Sequence, residues 1–105
     1  MLEDLEQLVL LAVLRIGDDA YGVRIGEEIA QHGGRDLTFA TIHKVLERLE
    51  EKGFVRSQLG DPTPVRGGRA KRYFAVTAQG KRVLRHELAI IRQMATGLDL
   101  GFDPA

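Results

Sequence analysis

The stretch Thr38-Phe-Ala-Thr-Ile-His-Lys-Val-Leu-Glu-Arg-Leu-Glu-Glu-Lys-Gly53 decides the fold. Thr38 is a good N-cap, and Phe39, Ile42, Val45, Leu46 and Leu49 recur at the three- and four-residue spacing of a helix with one buried stripe. Lys52-Gly53 closes it, the cation suiting the negative helix end and the glycine the turn. With the buried stripe subtracted, Ala40, Thr41, His43, Lys44, Glu47 and Arg48 point outward.

Upstream, Leu5, Leu8, Val9, Ala12 and Ile16 predict an amphipathic helix from Leu2 to Ile16, ended by Gly17. Leu10, Leu11, Val13 and Leu14 widen its apolar stripe nearly all the way round. Such a helix needs more than one neighbour, so part of it is expected against the domain and part against a second subunit. Asp18 or Asp19 is predicted to cap a short second helix with Tyr21, Ile25 and Ile29 on one side, and Gly33-Gly34 supplies its left-handed stop.

Downstream, Phe54 to Leu59 and Arg72 to Val76 predict two strands of a hairpin around the breaker-rich loop Gly60 to Ala70. Thr77 caps a last helix in which Leu84, Leu88, Ile91, Ala95 and Leu98 follow a near-heptad spacing, a narrow seam for a helix-helix contact. Residues 99–105, with Gly101 and Pro104, read as a flexible tail. The order helix, helix, helix, strand, basic loop, strand, helix is that of a winged helix-turn-helix, mostly α with a small β-hairpin wing. Residues 1–76 form the DNA-binding domain on this reading, and 77–98 a C-terminal dimerisation helix of the same domain.

Charge placement points to the partner. The formal net charge is zero, yet residues 1–52 carry six basic and eleven acidic side chains, whereas residues 53–85 carry eight basic and one acidic. Affinity for double-stranded DNA comes largely from phosphate neutralisation, which needs a basic face rather than a basic total. Arg66, Arg69, Lys71 and Arg72 cluster in the wing, and Gly67-Gly68 lets the backbone follow a groove or phosphate ridge. The candidate contacts are therefore Thr38, Ala40, Thr41, His43, Lys44 and Arg48 on the third helix, with Arg66, Gly67, Gly68, Arg69, Lys71 and Arg72 in the wing. Ala40 and Thr41 permit close approach and touch thymine methyls, while His43, Lys44 and Arg48 reach phosphates or guanine edges.

Tyr21-Gly22, the run from Ala40 to Val55, and Gly68-Arg-Ala-Lys-Arg-Tyr-Phe-Ala-Val-Thr-Ala-Gln-Gly80, in that order, resemble the PadR family of bacterial transcriptional regulators over residues 5 to about 90. The resemblance implies a homodimer, usually a repressor on a pseudo-palindromic operator, joined through its first and last helices. Leu5, Leu8, Leu84, Leu88, Ile91 and Ala95 would carry that contact. The family commonly has Gly-Thr-Leu-Tyr where this chain has Ala40-Thr41-Ile42-His43. The family tyrosine tends to contact DNA backbone; His43 donates to a phosphate in the same way and adds pH dependence. Some drug-sensing members use a tryptophan between subunits, and this chain has none. Its short last helix resembles the subclass without an extended C-terminal domain.

Composition bounds the rest. At 105 residues, 44% hydrophobic and 29% charged, the chain reads as one ordinary globular domain. The absence of cysteine excludes a disulfide framework and thiolate metal sites and suits the cytosol. Glu3, Asp4 and Glu6 stand where a signal peptide would be basic, and the apolar run Leu8 to Leu14 is too short to span a bilayer. A cytoplasmic protein without membrane partners is expected. Catalysis, a cofactor and a metal are not: Ser57 is the one serine, His32, His43 and His86 are spread over three helices, and His86-Glu87 lacks the second histidine of the helical zinc motif. A small-molecule effector is left open. The competing reading is a winged-helix protein-protein interaction module without DNA binding, which would show exposed apolar or aromatic anchors on the third helix and wing.

Overall fold

Val9 and Leu10, both without solvent exposure, lie on α1 (Asp4–Ile16), the helix on which the other elements pack. After it come a 3-10 turn (Gly17–Asp19), α2 (Gly22–Gly33), α3 (Phe39–Glu51), β1 (Val55–Leu59), β2 (Arg72–Val76) and α4 (Ala78–Ala95). This computed structural model describes residues 1–60 and 70–101. The expected architecture of helices with a small hairpin is borne out.

The core joins Val9, Leu10 and Val13 of α1 to Ile25 and Ile29 of α2 and to Ile42, Val45, Leu46 and Leu49 of α3. Leu84 of α4 and the hairpin residues Val55 and Phe74 close it. The strands pair antiparallel from Val55 opposite Val76 to Leu59 opposite Arg72. Gly34 terminates α2 at φ 66° and ψ 23°, the left-handed conformation that glycine adopts without penalty. Thr38 caps α3 by accepting from the Thr41 N–H at 3.1 Å, and Thr77 caps α4 by accepting from Gly80 at 3.0 Å.

Three local expectations are corrected. Asp18 and Asp19 do not cap α2; they sit in the 3-10 turn, and Tyr21 precedes the helix with no side-chain cap. The chain there is extended because it pairs with the wing: the Phe74 N–H donates to the Ala20 carbonyl at 2.8 Å, and Tyr21 bridges to Tyr73. Phe39 is not part of the buried stripe but is 59% exposed. As the first residue of α3 it lies against Gly22 at the start of α2, its ring stacked on the exposed His43 rather than turned into the core. Leu98 falls outside α4, since Thr96 at ψ 133° leaves the helix after Ala95.

Two ionic knots fix the helices. Glu6, fully buried, accepts from the Glu3 N–H at 2.8 Å and from Lys52 Nζ at 2.7 Å, while Glu3 accepts from Arg48 at 2.9 Å. Burial pushes the Glu6 carboxyl up, but the Glu3 amide and the Lys52 ammonium outweigh it and hold it below the usual carboxylate range. Glu28 on α2 binds Arg15 of α1 at 2.9 Å and His32 Nδ1 at 2.5 Å. The Arg15 hydrogen bond, against a smaller opposing effect of burial, keeps its carboxyl low as well. The Leu2 N–H donates to the buried carboxylate of Glu87 on α4.

Candidate nucleic-acid interface

Two glycines of α2, one helical turn apart, face side chains of α3. A Cβ on Gly26 would stand 2.9 Å from Ile42 Cδ1, and one on Gly22 would stand 2.8 Å from the Phe39 ring. The missing Cβ atoms make room for Phe39 and Ile42 where α3 packs on α2, the helix-turn-helix pair anticipated from the order of elements. Of the α3 candidates, Thr38, Ala40, His43 and Lys44 are exposed and Thr41 is half-buried. The Thr38 hydroxyl donates to that of Thr41 at 2.9 Å, which leaves the Thr41 hydroxyl proton available to an outside acceptor.

His43 stacks on Phe39, ring centroids 6.1 Å apart and planes 11° from parallel, and its Nε2 lies 2.9 Å from Glu47 Oε1. Arg48 stands apart from this group, turned toward α1 through its bond to Glu3.

The root of the wing comes to the same side. Lys71 lies over the Tyr21 ring, 4.3 Å from its centroid, and Tyr21 meets Tyr73 edge-on at 5.8 Å. Arg72 donates to Ser57 Oγ at 3.0 Å and Ser57 donates to Glu50 at 2.8 Å, a polar chain from β2 through β1 to the end of α3. A hollow of about 490 Å³ opens between these parts, with Val23, Phe39, His43, Lys71, Arg72 and Phe74 around it. Residues of α3 and of the wing root thus border one surface. Arg66, Gly67, Gly68 and Arg69 lie outside the described residues.

The transcriptional regulator PadR-like family matches residues 10–86. The chain belongs to this family. Solved structures of PadR-like fold resemble it closely. A transcriptional regulator from Clostridium thermocellum is 20% identical with a TM-score of 0.71, covering 86% of this chain and 84% of that one. A PadR family regulator from Eggerthella lenta DSM 2243 is 26% identical at 0.70, covering 90% and 81%. A PadR family regulator from Clostridium difficile R20291 is 22% identical at 0.66, covering 86% and 93%. No curated protein matches the chain. As a PadR-like protein it is a DNA-binding regulator of transcription, in a family of regulators rather than enzymes. Among the described residues no helix is long and apolar enough to cross a membrane.

Sequence reasoning missed Val23 and Phe39 at this PadR-like surface, 54% and 59% exposed. The Lys71–Tyr21 contact was missed too, since it joins residues on different elements. The signal for Phe39 is its position directly after the cap, where a helical stripe has not yet reached its neighbour.

The expected dimer seam divides. Leu84 is buried within the subunit; Leu5, Leu8 and Leu88 pack partly against its core, and Ala95 is half-buried. Ile91 is 54% exposed, and Ile90 and Met94 beside it are exposed too. A groove of about 590 Å³ runs between α1 and α4, with Leu11, Leu14, Leu84 and Leu88 along it.

Proposed function

We propose that this protein is a cytoplasmic homodimeric repressor that binds a pseudo-palindromic operator, α3 in the major groove and the wing on the flanking backbone. The observation that carries this reading is the single surface bordered by His43 of α3, by Lys71 and by Arg72 at the start of β2. In the winged arrangement the start of the third helix faces base edges, which assigns Thr38, Ala40, Thr41 and Lys44 to the groove and His43 to a phosphate. Arg48, bonded to Glu3, serves at the rim. Lys71 and Arg72 neutralise phosphates, together with Arg66 and Arg69 of the loop and its glycines Gly67 and Gly68.

The dimer reading is supported by surface that one subunit leaves uncovered. Ile90, Ile91 and Met94, large apolar side chains on α4, are 45%, 54% and 76% exposed, surface that contact with a second subunit would remove from water. Ile91 and its exposed neighbours are assigned to the subunit contact, with Leu5, Leu8, Leu88 and Ala95 behind them. Leu84 acts from inside the subunit by holding α4 on α1.

The test is the salt dependence of duplex binding by the Lys71→Ala/Arg72→Ala variant. Two lost phosphate contacts in each subunit, four in the dimer, should lower the slope of log K against log salt by about 3.6. An unchanged slope would remove the wing root from the interface.

A further inference from the structure

Phe39 and Val23 are large apolar side chains more than half exposed, at the edge of the surface assigned to DNA. Phe39 is held there. Its ring stacks on His43 on one side, and the missing Cβ of Gly22 admits it on the other. It is the first residue of α3, the end of the helix directed at the bases in the proposed complex. Exposed apolar surface of this kind costs hydration until something apolar covers it. The apolar group that the major groove presents is the thymine 5-methyl, which aromatic and small aliphatic side chains contact. A protein partner is less suited to the patch. A specific interface needs on the order of 800 Å² per partner, and the hollow that Val23 and Phe39 border is bordered as well by the cations of Lys71 and Arg72, which suit a phosphate-bearing partner.

We propose that Phe39 is a specificity-determining residue that reads thymine by packing its ring on the 5-methyl group, with Val23 widening the apolar contact. The proposal rests on the DNA-binding reading above and deepens it by naming the base. Gly22 is then a positioning residue, because any side chain there displaces the ring.

The test uses an operator recovered from a random duplex pool, in which each thymine of one half-site is replaced in turn by deoxyuridine, which lacks only the methyl. Wild-type protein should lose affinity about fourfold at one or two positions, the worth of one buried methyl. Phe39→Ala should bind thymine and uracil duplexes equally at those positions, Phe39→Leu should restore part of the preference, and Gly22→Ala should weaken it although Phe39 remains. Circular dichroism of each variant checks the fold. Equal binding of both duplexes by the wild type at every position would overturn the proposal while leaving DNA binding intact. So would a methyl preference that survives Phe39→Ala, since Ala40 or Thr41 would then be the reader. Phe39→Ala with unaltered affinity for every duplex would also overturn it and leave the ring to a protein contact. Failure to recover any operator would contradict the underlying DNA-binding reading instead.

Discussion

Glu6 and Lys52, 46 positions apart, meet at 2.7 Å with the carboxylate fully buried. Removing the charge leaves the lysine without its partner, so Glu6→Gln should cost about 1–3 kcal/mol in denaturant unfolding. The pH dependence has a definite sign. Because the folded Glu6 carboxyl is held low, its contribution is complete above the ordinary glutamate value of about 4.3 and is lost as pH falls through the folded value. Wild-type stability should therefore fall below about pH 4.3, and Glu6→Gln should fall less steeply, with Glu28 supplying the remaining slope. Equal slopes would remove Glu6 from the account. The glycines separate in a similar way. A Cβ on Gly80 would run into the Phe54 carbonyl oxygen, a backbone atom that cannot swing aside, whereas one on Gly22 meets the exposed Phe39 ring. Gly80→Ala should lose about 1–3 kcal/mol, and Gly22→Ala should stay within about 1 kcal/mol of wild type, since helix propensity offsets the shifted ring. Equal losses in thermal unfolding would contradict this. Neither the Glu6 pair nor the Phe39 exposure can be read from local sequence. Glu6 is an ordinary first-turn acid until the end of α3 is folded beside it, and Phe39 has the spacing of a core residue until the start of α2 is placed against it.

α4 shows what element-level reading can and cannot resolve. Its cap at Thr77 and its apolar repeat follow from residue chemistry, and both appear in the structure. How the repeat divides between the subunit's own core and its outside does not follow, because that depends on how α4 leans on α1. Leu84 faces in and Ile91 faces out, though both fit the same repeat. Ile91→Asp is consequently the cleaner probe of dimerisation. It should change the fold's stability by no more than about 0.5 kcal/mol, as an exposed site allows, while sedimentation equilibrium shows a monomer. A dimer persisting in Ile91→Asp would remove α4 from the contact. The start of α2 is the opposite case. Asp18 and Asp19 have the chemistry of caps, but the backbone of Ala20 and Tyr21 is engaged by the wing, and a strand pairing from more than fifty residues downstream overrides the local preference.

For the molecule as a whole, neutrality conceals a division of labour. Most of the acids precede Gly53, and several of them tie helices together through Glu6, Glu3 and Glu28. The basic residues from Arg56 to Arg85 are nearly unopposed in sequence. Folding brings the wing root beside His43, so helix and wing form one face on a protein with no net charge. Two such faces, related by a two-fold axis through α1 and α4, would meet DNA one helical turn apart. Selection from a random duplex pool tests this most directly. The expected result is enrichment of a two-fold symmetric site whose half-sites are about 10 bp apart, centre to centre. Absence of any enriched site, or enrichment of a single unrepeated half-site, would contradict it.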